Sequence, residues 1–253
     1  MKKERIDSLL FKYEFADSIH KARALVLAGV VLVNEKRVEK PSETFSPVEK
    51  IRIKGETTAK KFVGRGGLKL EKALIEFQIC LDKYVCLDVG ASTGGFTDCL
   101  LQNGAKKIFT IDVGTNQLDW KLRNDARVKS RENVNARYLK PADFGEEFDL
   151  IVMDVSFISA TKILSALVPL LKPAGKIIVL IKPQFEVRRA EVEDGGIVTD
   201  STIHARIIAE VNAFAENCGL KAAQVIDSPI TGANGNKEFL ALYERQKIAA
   251  DLF

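Results

Sequence analysis

Apolar segments that alternate with helical patterns constrain the fold of this chain more than any other feature. Segments dense in Val, Ile and Leu predict strands at 85–89, 107–112, 150–154 and 176–181. Patterns of helical period predict helices at 95–103, 116–123, 160–171 and 201–217. Two more strands are predicted at 222–226 and 238–243. This alternation predicts an α/β fold, a mostly parallel sheet covered by helices on both faces, in which ligands bind at the carboxyl ends of the strands.

The amino-terminal residues differ from the rest in pattern and in charge. Residues 1–55 predict a small α+β domain, 56–62 a polar linker and 63–246 the second domain. In the small domain, helices and strands are predicted at 4–13, 17–28, 30–34 and 50–54. Residues 1–61 carry 14 Lys and Arg against 9 Asp and Glu, whereas the other residues carry 24 against 25. This asymmetry favours a small domain that binds a polyanion.

Composition and patterning exclude several classes of protein. The longest apolar run, 24–33, spans about ten residues, whereas a helix that crosses a bilayer needs roughly twenty. Asp7 and Lys12 interrupt any signal-peptide core, so we expect a cytoplasmic protein without a membrane span. The four cysteines and two histidines show no metal-ligand spacing, so we expect reduced thiols and no metal site.

A glycine-rich segment follows the strand at 85–89 and opens a helix. It reads Leu-Asp-Val-Gly-Ala-Ser-Thr-Gly-Gly-Phe from Leu87 to Phe96. Small residues let a ligand approach the backbone, and the amino terminus of the helix offers free N–H groups. Asp112 ends the next strand, where a carboxylate can accept hydrogen bonds from both ribose hydroxyls of a nucleoside cofactor.

Four kinds of site compete for this segment. A dinucleotide site would place Gly where Ser92 stands, and a phosphate-binding loop would need Gly-Lys-Ser/Thr, which is absent. Residues 90–94 also match the Gly-x-Ser-x-Gly elbow of hydrolases, with Asp154 and His204 in the chain order of a triad. However, His204 lies inside a helical pattern. An S-adenosylmethionine site needs an acidic residue at the end of the first strand for the cationic amine and sulfonium. Asp88 supplies it, so we favour S-adenosylmethionine.

Four charged residues stand where this topology brings them towards one cleft. Lys69 begins a helix predicted at 68–77, where a cation opposes the helix dipole. Asp154 and Lys182 each end a strand, and Glu238 opens the last one. A ribose hydroxyl must lose its proton as it attacks a methyl donor. A lysine whose pKa is lowered by burial and by a second cation can take that proton, so the pattern favours ribose methylation.

Other methyl acceptors fit the sequence less well. Methylation of exocyclic amines usually accompanies Asn/Asp-Pro-Pro-aromatic after the fourth strand, and residues 154–157 read Asp-Val-Ser-Phe. Methylation of a pyrimidine ring carbon needs a cysteine nucleophile, and no cysteine is predicted in the cleft. Phe157 and Phe185 are candidates to stack on the target base or on adenine, with packing in the core as the alternative.

These motifs together resemble the TlyA family, whose members carry the names hemolysin A and rRNA 2′-O-methyltransferase. The resemblance covers nearly the whole chain. The amino-terminal residues resemble the RNA-binding domain of ribosomal protein S4, through RIDSL at 5–9 and AGVVLVN at 28–34. The rest resembles FtsJ-like methyltransferases, through GRGGLKL at 64–70, DVGASTGGF at 88–96, DVG at 112–114, DVSFIS at 154–159 and KPQFE at 182–186.

The resemblance implies a Rossmann-like methyltransferase domain with a mostly parallel seven-stranded sheet, and a small α+β RNA-binding domain. It implies methyl transfer from S-adenosylmethionine to the 2′-hydroxyl of cytidines in ribosomal RNA or ribosomal subunits. The implied catalytic residues are Lys69, Asp154, Lys182 and Glu238. The expected cofactor-binding residues are Asp88, Gly90, Ser92, Thr93, Gly94, Gly95, Phe96, Asp112, Val113, Asp154 and Phe157. The expected RNA-binding residues are Arg5, Lys21, Arg23 and Arg65.

Two other functions stay open at this stage. One is an RNA-binding ribosome assembly factor without catalysis, and the other is a membrane-active hemolysin, as the family name suggests. The four charged residues of the catalytic set argue against the first. The lack of a long apolar segment and of a strongly basic amphipathic helix argues against the second.

Overall fold

The computed structural model describes residues 3–13, 15–16, 18–54, 61–193 and 195–246. Of the linker predicted at 56–62, only Lys61 and Phe62 lie within these ranges. The helices are α1 (Ile6–Lys12), α2 (Ile19–Leu27), α3 (Gly66–Glu76), α4 (Gly95–Gln102), α5 (Trp120–Arg123), α6 (Thr161–Leu167), α7 (Pro183–Glu186) and α8 (Ser201–Asn217). The strands are β1 (Glu4–Arg5), β2 (Val31–Val33), β3 (Lys36–Arg37), β4 (Thr44–Phe45), β5 (Ile51–Ile53), β6 (Val85–Val89), β7 (Lys107–Ile111), β8 (Val128–Arg131), β9 (Phe148–Met153), β10 (Leu171–Ile181), β11 (Leu220–Asp227) and β12 (Phe239–Arg245).

The amino-terminal α+β region has its own small core. The helices α1 and α2 pack on a three-stranded antiparallel sheet of order β3-β2-β5, and β1 pairs with β4. Their apolar faces meet through fully buried residues such as Ile6, Leu10 and Val31. Ser18 ends the preceding loop, and its hydroxyl accepts a hydrogen bond from the Lys21 N–H (3.2 Å), which caps α2.

The seven-stranded sheet has the order β11-β12-β10-β9-β6-β7-β8. All pairs from β10 to β8 are parallel, and β12 runs antiparallel to both of its neighbours. The chain runs outward from β6 to the edge strand β8 and then returns to β9, on the other side of β6. This reversal opens a crevice at the carboxyl ends of β6 and β9, where such folds bind ligands. The predicted α/β class and mostly parallel seven-stranded sheet are confirmed.

The helices cover both faces of this sheet. One face packs against α3 and α4 through residues such as Leu70 and Leu100. The other face packs against α6 and α8 through residues such as Leu164 and Val211. Helices therefore flank the strands that end at the crevice, and the central strands are buried on both sides, which explains their continuous apolar sequences.

Several elements differ from their predicted bounds. The strand β8 was not predicted, because Val128–Arg131 lies at the sheet edge and exposes the charged side chains of Lys129 and Arg131. The strand β10 begins at Leu171, five residues before its predicted start, with an irregular register between Leu171 and Lys176. Of the helix predicted at 116–123, only α5 is observed, because Asn116 has a positive φ of 55° and Asp119 caps the amino terminus of the helix.

Within the described ranges, none of the helices combines the length and apolarity needed to cross a membrane. In the same residues, no three Asp, Glu, His or Cys side chains are grouped to hold a metal ion.

Three phenylalanines near β7 and β9 form the most aromatic part of the core. The rings of Phe109, Phe144 and Phe148 contact one another edge to face, with centroids 5.1 to 5.6 Å apart. Phe148 is fully buried. Aromatic pairs of this geometry add stability beyond the burial of their area.

We expect Phe148→Ala to lower the free energy of unfolding by about 3–5 kcal/mol, because it leaves a cavity between two rings. Urea denaturation followed by circular dichroism measures the loss. The matched control is Phe157→Ala, since Phe157 is 91% exposed and its truncation should change stability by less than about 0.5 kcal/mol. A loss below about 1 kcal/mol for Phe148→Ala would contradict a tightly packed cluster.

Candidate active site

Glycines bring the amino termini of α3 and α4 into contact. A Cβ atom on Gly95 would lie 2.9 Å from the backbone nitrogen of Gly67 and 3.1 Å from the carbonyl oxygen of Gly64. A Cβ on Gly67 would collide with the ring of Phe62. Only glycine permits such an approach, and it carries the first turn of α3 to the crevice. As a result Lys69, which lies in that turn, is buried at the end of β6 rather than exposed.

The turn after β6 is equally crowded. Gly90 has a φ of 81°, and a Cβ there would lie 2.3 Å from the carbonyl oxygen of Asp154. The Asp154 N–H donates to the carbonyl oxygen of Val89 (3.0 Å), which extends the pairing of β6 and β9. Ser92 also has a positive φ, and its N–H donates to the Asp112 carboxylate (2.8 Å). These contacts fix Asp154, Asp112 and the glycine-rich turn relative to one another.

The four predicted catalytic side chains form a continuous chain of ion pairs. Lys182 Nζ lies 2.6 Å from Asp154 Oδ1, and Lys69 Nζ lies 3.9 Å from Asp154 Oδ2. Lys69 Nζ also lies 2.7 Å from Glu238 Oε2. Lys182 donates a further hydrogen bond to Ser156 Oγ (2.9 Å). A residue of α3 and the residues next to the ends of β9, β10 and β12 are therefore brought together, as the sequence predicted.

These charges are mostly withdrawn from water. Lys69 and Lys182 each expose 10% of their side chains, and Glu238 exposes 2%. Burial alone would raise the pKa of Asp154, but Lys182 and Lys69 together hold that pKa below its ordinary value. Asp154 is consequently an anion at neutral pH, and it fixes the Nζ atoms of Lys182 and Lys69 beside one cavity.

A cavity of about 670 Å³ opens beside this cluster. Its volume is within the usual range for small-molecule sites. Nine of the eleven predicted cofactor-binding residues line it, namely Gly90, Ser92, Thr93, Gly95, Phe96, Asp112, Val113, Asp154 and Phe157. The Asp112 carboxylate and the apolar side chains of Ile111, Val113 and Ala136 supply the surroundings that a ribose and a purine require. The glycine-rich turn, the Asp112 carboxylate and the apolar wall therefore fit a nucleoside cofactor such as S-adenosylmethionine.

Comparisons with known proteins agree with this geometry. A family model described as FtsJ-like methyltransferase matches residues 62–245, and a model described as S4 domain matches residues 4–49. The "Putative rRNA methyltransferase YqxC" of Bacillus subtilis (strain 168) is 45% identical over 240 residues, which cover 94% of this chain and 85% of that protein. The chain belongs to the TlyA family.

Two further relatives support the assignment, and a more distant structure shows the fold alone. The "16S/23S rRNA (cytidine-2'-O)-methyltransferase TlyA" of Mycobacterium tuberculosis is 39% identical over 238 residues, which cover 94% of this chain and 88% of that protein. A solved structure named "Putative hemolysin from Streptococcus thermophilus" has a TM-score of 0.84 and 44% identity, and covers 97% of this chain and 90% of its own. An S-adenosylmethionine-dependent methyltransferase from Listeria monocytogenes shares the fold alone, with a TM-score of 0.53, 16% identity and coverage of 72% of this chain and 99% of its own.

Two predicted cofactor-binding residues do not line the cavity of this TlyA-family chain. Asp88 is fully buried and accepts a hydrogen bond from the Thr97 hydroxyl (2.6 Å). Burial, together with the charges of Asp154 and Asp112, raises the pKa of Asp88 to about 7 against the effect of the Thr97 hydrogen bond. Gly94 is the amino-terminal cap of α4, where a φ of 98° and the close side chain of Leu122 require glycine. In this structure both residues contact the turn, and their cofactor-binding roles stay predictions.

Phe157 occupies an unusual place at the mouth of the cavity. It has a φ of 64° and is 91% exposed, and its ring centroid lies 5.2 Å from that of Phe185. Glu186 accepts hydrogen bonds from the Ser159 hydroxyl and the Ala160 N–H, which ties the loop after β9 to α7. The two motifs at 154–159 and 182–186 thus hold each other in place, and core packing is excluded for Phe157.

The hydrolase alternative lacks its base. His204 Nε2 lies 2.9 Å from the carbonyl oxygen of Val198, and the His204 ring packs against Phe239. Ser92 Oγ instead contacts Gln117 Oε1 at 3.4 Å. Ser92 and His204 are therefore not paired, and a nucleophilic serine would have no partner to accept its proton.

The predicted RNA-binding residues lie in two places. Arg5 and Arg23 belong to the S4 domain and are about half exposed, and Lys21 is exposed on the same helix as Arg23. Arg65 lines the cavity, where Phe11 and Lys12 of α1 also contribute to the wall. The cavity is therefore bordered by both the S4 domain and the methyltransferase domain.

Sequence reasoning missed three residues that shape the site. Ser156 binds Lys182, Asn135 lines the cavity beside Ala136, and Gly232 lies against the Glu238 carboxylate. Ser156 stands two residues after Asp154, and alternate residues of an extended chain point to the same side. This alternation could have indicated Ser156. No sequence signal marks Gly232, because its role comes from a contact between a loop and a strand.

We expect Gly232→Ala to lower methyl transfer about 10- to 100-fold, because displacement of a catalytic group by about 1 Å can have that effect. A Cβ on Gly232 would lie 2.1 Å from Glu238 Oε1 and force this carboxylate away from Lys69. Turnover and cofactor affinity are measured separately. The control is Gly145→Ala, because the Cβ position of Gly145 has nothing within 4 Å, so any effect of this variant comes from its positive φ of 71°. Equal turnover in both variants would contradict a role for Gly232.

We also expect Asp88 to make the chain less stable as pH rises. Its pKa is raised from 3.8 to about 7 in the folded state, so unfolding releases a proton between these values. The free energy of unfolding of the cofactor-free chain should fall over pH 4 to 7 by at most about 1.4 kcal/mol per pH unit from this group. Asp88→Asn should remove that slope in urea titrations, whereas the exposed Asp82→Asn should retain it. An unchanged slope in Asp88→Asn would refute the assignment.

Proposed function

We propose that the chain is an S-adenosylmethionine-dependent 2′-O-methyltransferase that acts on cytidines of ribosomal RNA. The observation that carries the proposal is the unbroken contact Glu238–Lys69–Asp154–Lys182 beside a cavity suited to a nucleoside. The relative from Mycobacterium tuberculosis bears the name of a cytidine-2′-O-methyltransferase of rRNA. The proposal places the activity in the cytoplasm, with 1–55 and 63–246 acting as two units joined by 56–62.

In this proposal the chain's own residues position the reactants and move one proton. S-adenosylmethionine supplies an electrophilic methyl group on a sulfonium. Methyl transfer to the ribose 2′-oxygen would break the bond from the methyl carbon to sulfur, and Lys182 Nζ, in its unprotonated form, would accept the 2′-hydroxyl proton. Asp154 holds Lys182 at 2.6 Å, and Glu238 holds Lys69 at 2.7 Å. Because the displacement is in line, this positioning should matter as much as proton transfer.

The RNA would be bound in two steps. The basic amino-terminal region, residues 1–61, binds mainly phosphates, so affinity should fall steeply with salt. The target cytidine must then leave its stack to reach the methyl group. The exposed ring of Phe157, supported by Phe185, is placed at the cavity mouth, where it can stack on that base.

The decisive experiment is transfer of tritiated methyl from S-adenosylmethionine to purified ribosomal subunits and to naked rRNA. Label that maps to a cytidine ribose establishes both the reaction and the substrate. Absence of label with tight cofactor binding would favour an assembly factor without catalysis. Leakage of liposomes without any dependence on cofactor would favour the hemolysin alternative.

We expect Lys182→Ala to abolish methyl transfer, because the variant loses the group that accepts the proton, which typically contributes 10²- to 10⁴-fold to the rate. Cofactor affinity, measured by calorimetry, should stay within about threefold, since the other cavity residues are retained. The control is Lys221→Ala, a replacement of an exposed lysine on β11. Normal turnover by Lys182→Ala would overturn the proposed mechanism.

A further inference from the structure

A buried carboxylate in the S4 domain holds two arginines from different elements. Arg5 donates from Nε to Asp7 Oδ1 (3.0 Å) and from Nη2 to Asp7 Oδ2 (2.7 Å). Arg23 donates from Nε to Asp7 Oδ2 (2.9 Å), and the Ser8 N–H donates to Asp7 Oδ1 (2.9 Å). Asp7 exposes 1% of its side chain, whereas Arg5 and Arg23 expose 46% and 53%.

We propose that Asp7 is a positioning residue that sets the guanidinium groups of Arg5 and Arg23 as one clamp for phosphate groups of the RNA backbone. Among the described residues, Nη1 of Arg5 and both terminal nitrogens of Arg23 have no hydrogen-bond partner. These nitrogens carry the donors that a phosphate needs. The proposal rests on the proposed function only in taking RNA as the ligand.

The geometry favours a clamp over a simple surface ion pair. Arg5 ends β1 and Arg23 lies in α2, so Asp7 at the start of α1 joins three elements at one point. A free arginine side chain must lose rotamer freedom when it binds a phosphate. Here both side chains are ordered before the RNA arrives, and preorganisation of this kind strengthens binding.

The charge of the cluster supports the same assignment. The Arg5 hydrogen bonds, with those of Arg23, lower the pKa of Asp7 to about 2 against the cost of burial, so Asp7 is ionised at any pH at which RNA is bound. One carboxylate between two guanidinium groups leaves the cluster with a single positive charge. Long-range attraction of RNA would be greater without Asp7, so a role in affinity has to come from geometry.

The two possible roles of Asp7, neutralising charge and positioning the arginines, predict opposite effects of Asp7→Asn on rRNA binding. If Asp7 only neutralises charge, Asp7→Asn adds a positive charge to the surface and should tighten the binding of every polyanion. If Asp7 positions the clamp, Asp7→Asn should weaken the binding of folded rRNA while the binding of a flexible polymer such as polyuridylate is unchanged or tighter.

The experiment measures dissociation constants of the full chain for naked rRNA and for polyuridylate over a series of salt concentrations. We expect Asp7→Asn to weaken rRNA binding about tenfold, since charged bidentate pairs are the strong hydrogen bonds of such surfaces. The slope of log affinity against log salt should fall by about 1 for each phosphate contact that is lost. The matched control is Glu35→Gln, because Glu35 forms a bidentate pair with Arg52 on the same domain but is 59% exposed. This control should bind rRNA as tightly as the unchanged chain or more tightly.

A second variant guards against loss of folding in Asp7→Asn. Arg23→Lys retains the charge and removes the planar guanidinium, so it should weaken rRNA binding several-fold with an unchanged circular dichroism spectrum. Binding of rRNA by Asp7→Asn or Arg23→Lys as tight as that of the unchanged chain would overturn the clamp, and so would a failure of the unchanged chain to bind rRNA. If the unchanged chain binds rRNA through this clamp but transfers no methyl group, the proposed function fails and the clamp stands.

Discussion

The carboxylate of Asp154 is the group on which the site depends. It accepts Lys182 at 2.6 Å and faces Lys69 at 3.9 Å, and the second lysine is held in turn by Glu238. A buried charge is tolerated only when it is paired. Removal of one partner leaves the other charge buried without a partner, and its desolvation is then not compensated. The four residues therefore form a single electrostatic unit. Such an arrangement contributes little net stability in most proteins, which suggests that it is retained here for chemistry.

The backbone around Asp154 explains why the glycine-rich motifs are needed. Gly90 allows the end of β6 to touch the carbonyl group of Asp154, and Gly95 allows α4 to meet the start of α3. Each contact removes space in which a side chain would stand, and each moves a charged residue towards the cavity. The motifs at 64–70 and 88–96 are separate in sequence, but each contributes one of the two backbone segments that meet where α4 contacts the start of α3.

The S4 domain and the methyltransferase domain differ in how their charged residues are arranged. Residues 1–61 carry the basic excess, and the S4 domain within them displays two arginines around Asp7. The methyltransferase domain has nearly equal numbers of positive and negative residues, and the charged residues of its candidate site are mostly buried. The cavity is bordered by residues of both, since Phe11 and Lys12 of α1 share it with Arg65. In the proposed function, binding of RNA and transfer of the methyl group would thus use separate surfaces that meet at one opening.

The sequence by itself determined the α/β class, the TlyA-family motifs and the identity of the four charged residues, because buried parallel strands are continuously apolar and the motifs stand at their carboxyl ends. It did not reveal β8, whose charged residues at the sheet edge lack an apolar pattern. It also predicted a cofactor-binding role for Asp88, and only the fold shows that this side chain is buried beneath the turn against Thr97. Only the tertiary structure decided the partners of each charge, the role of Gly232 beside Glu238 and the joining of Arg5 to Arg23 through Asp7. These features depend on contacts between residues that are distant along the chain, and no local pattern records which side chains will meet.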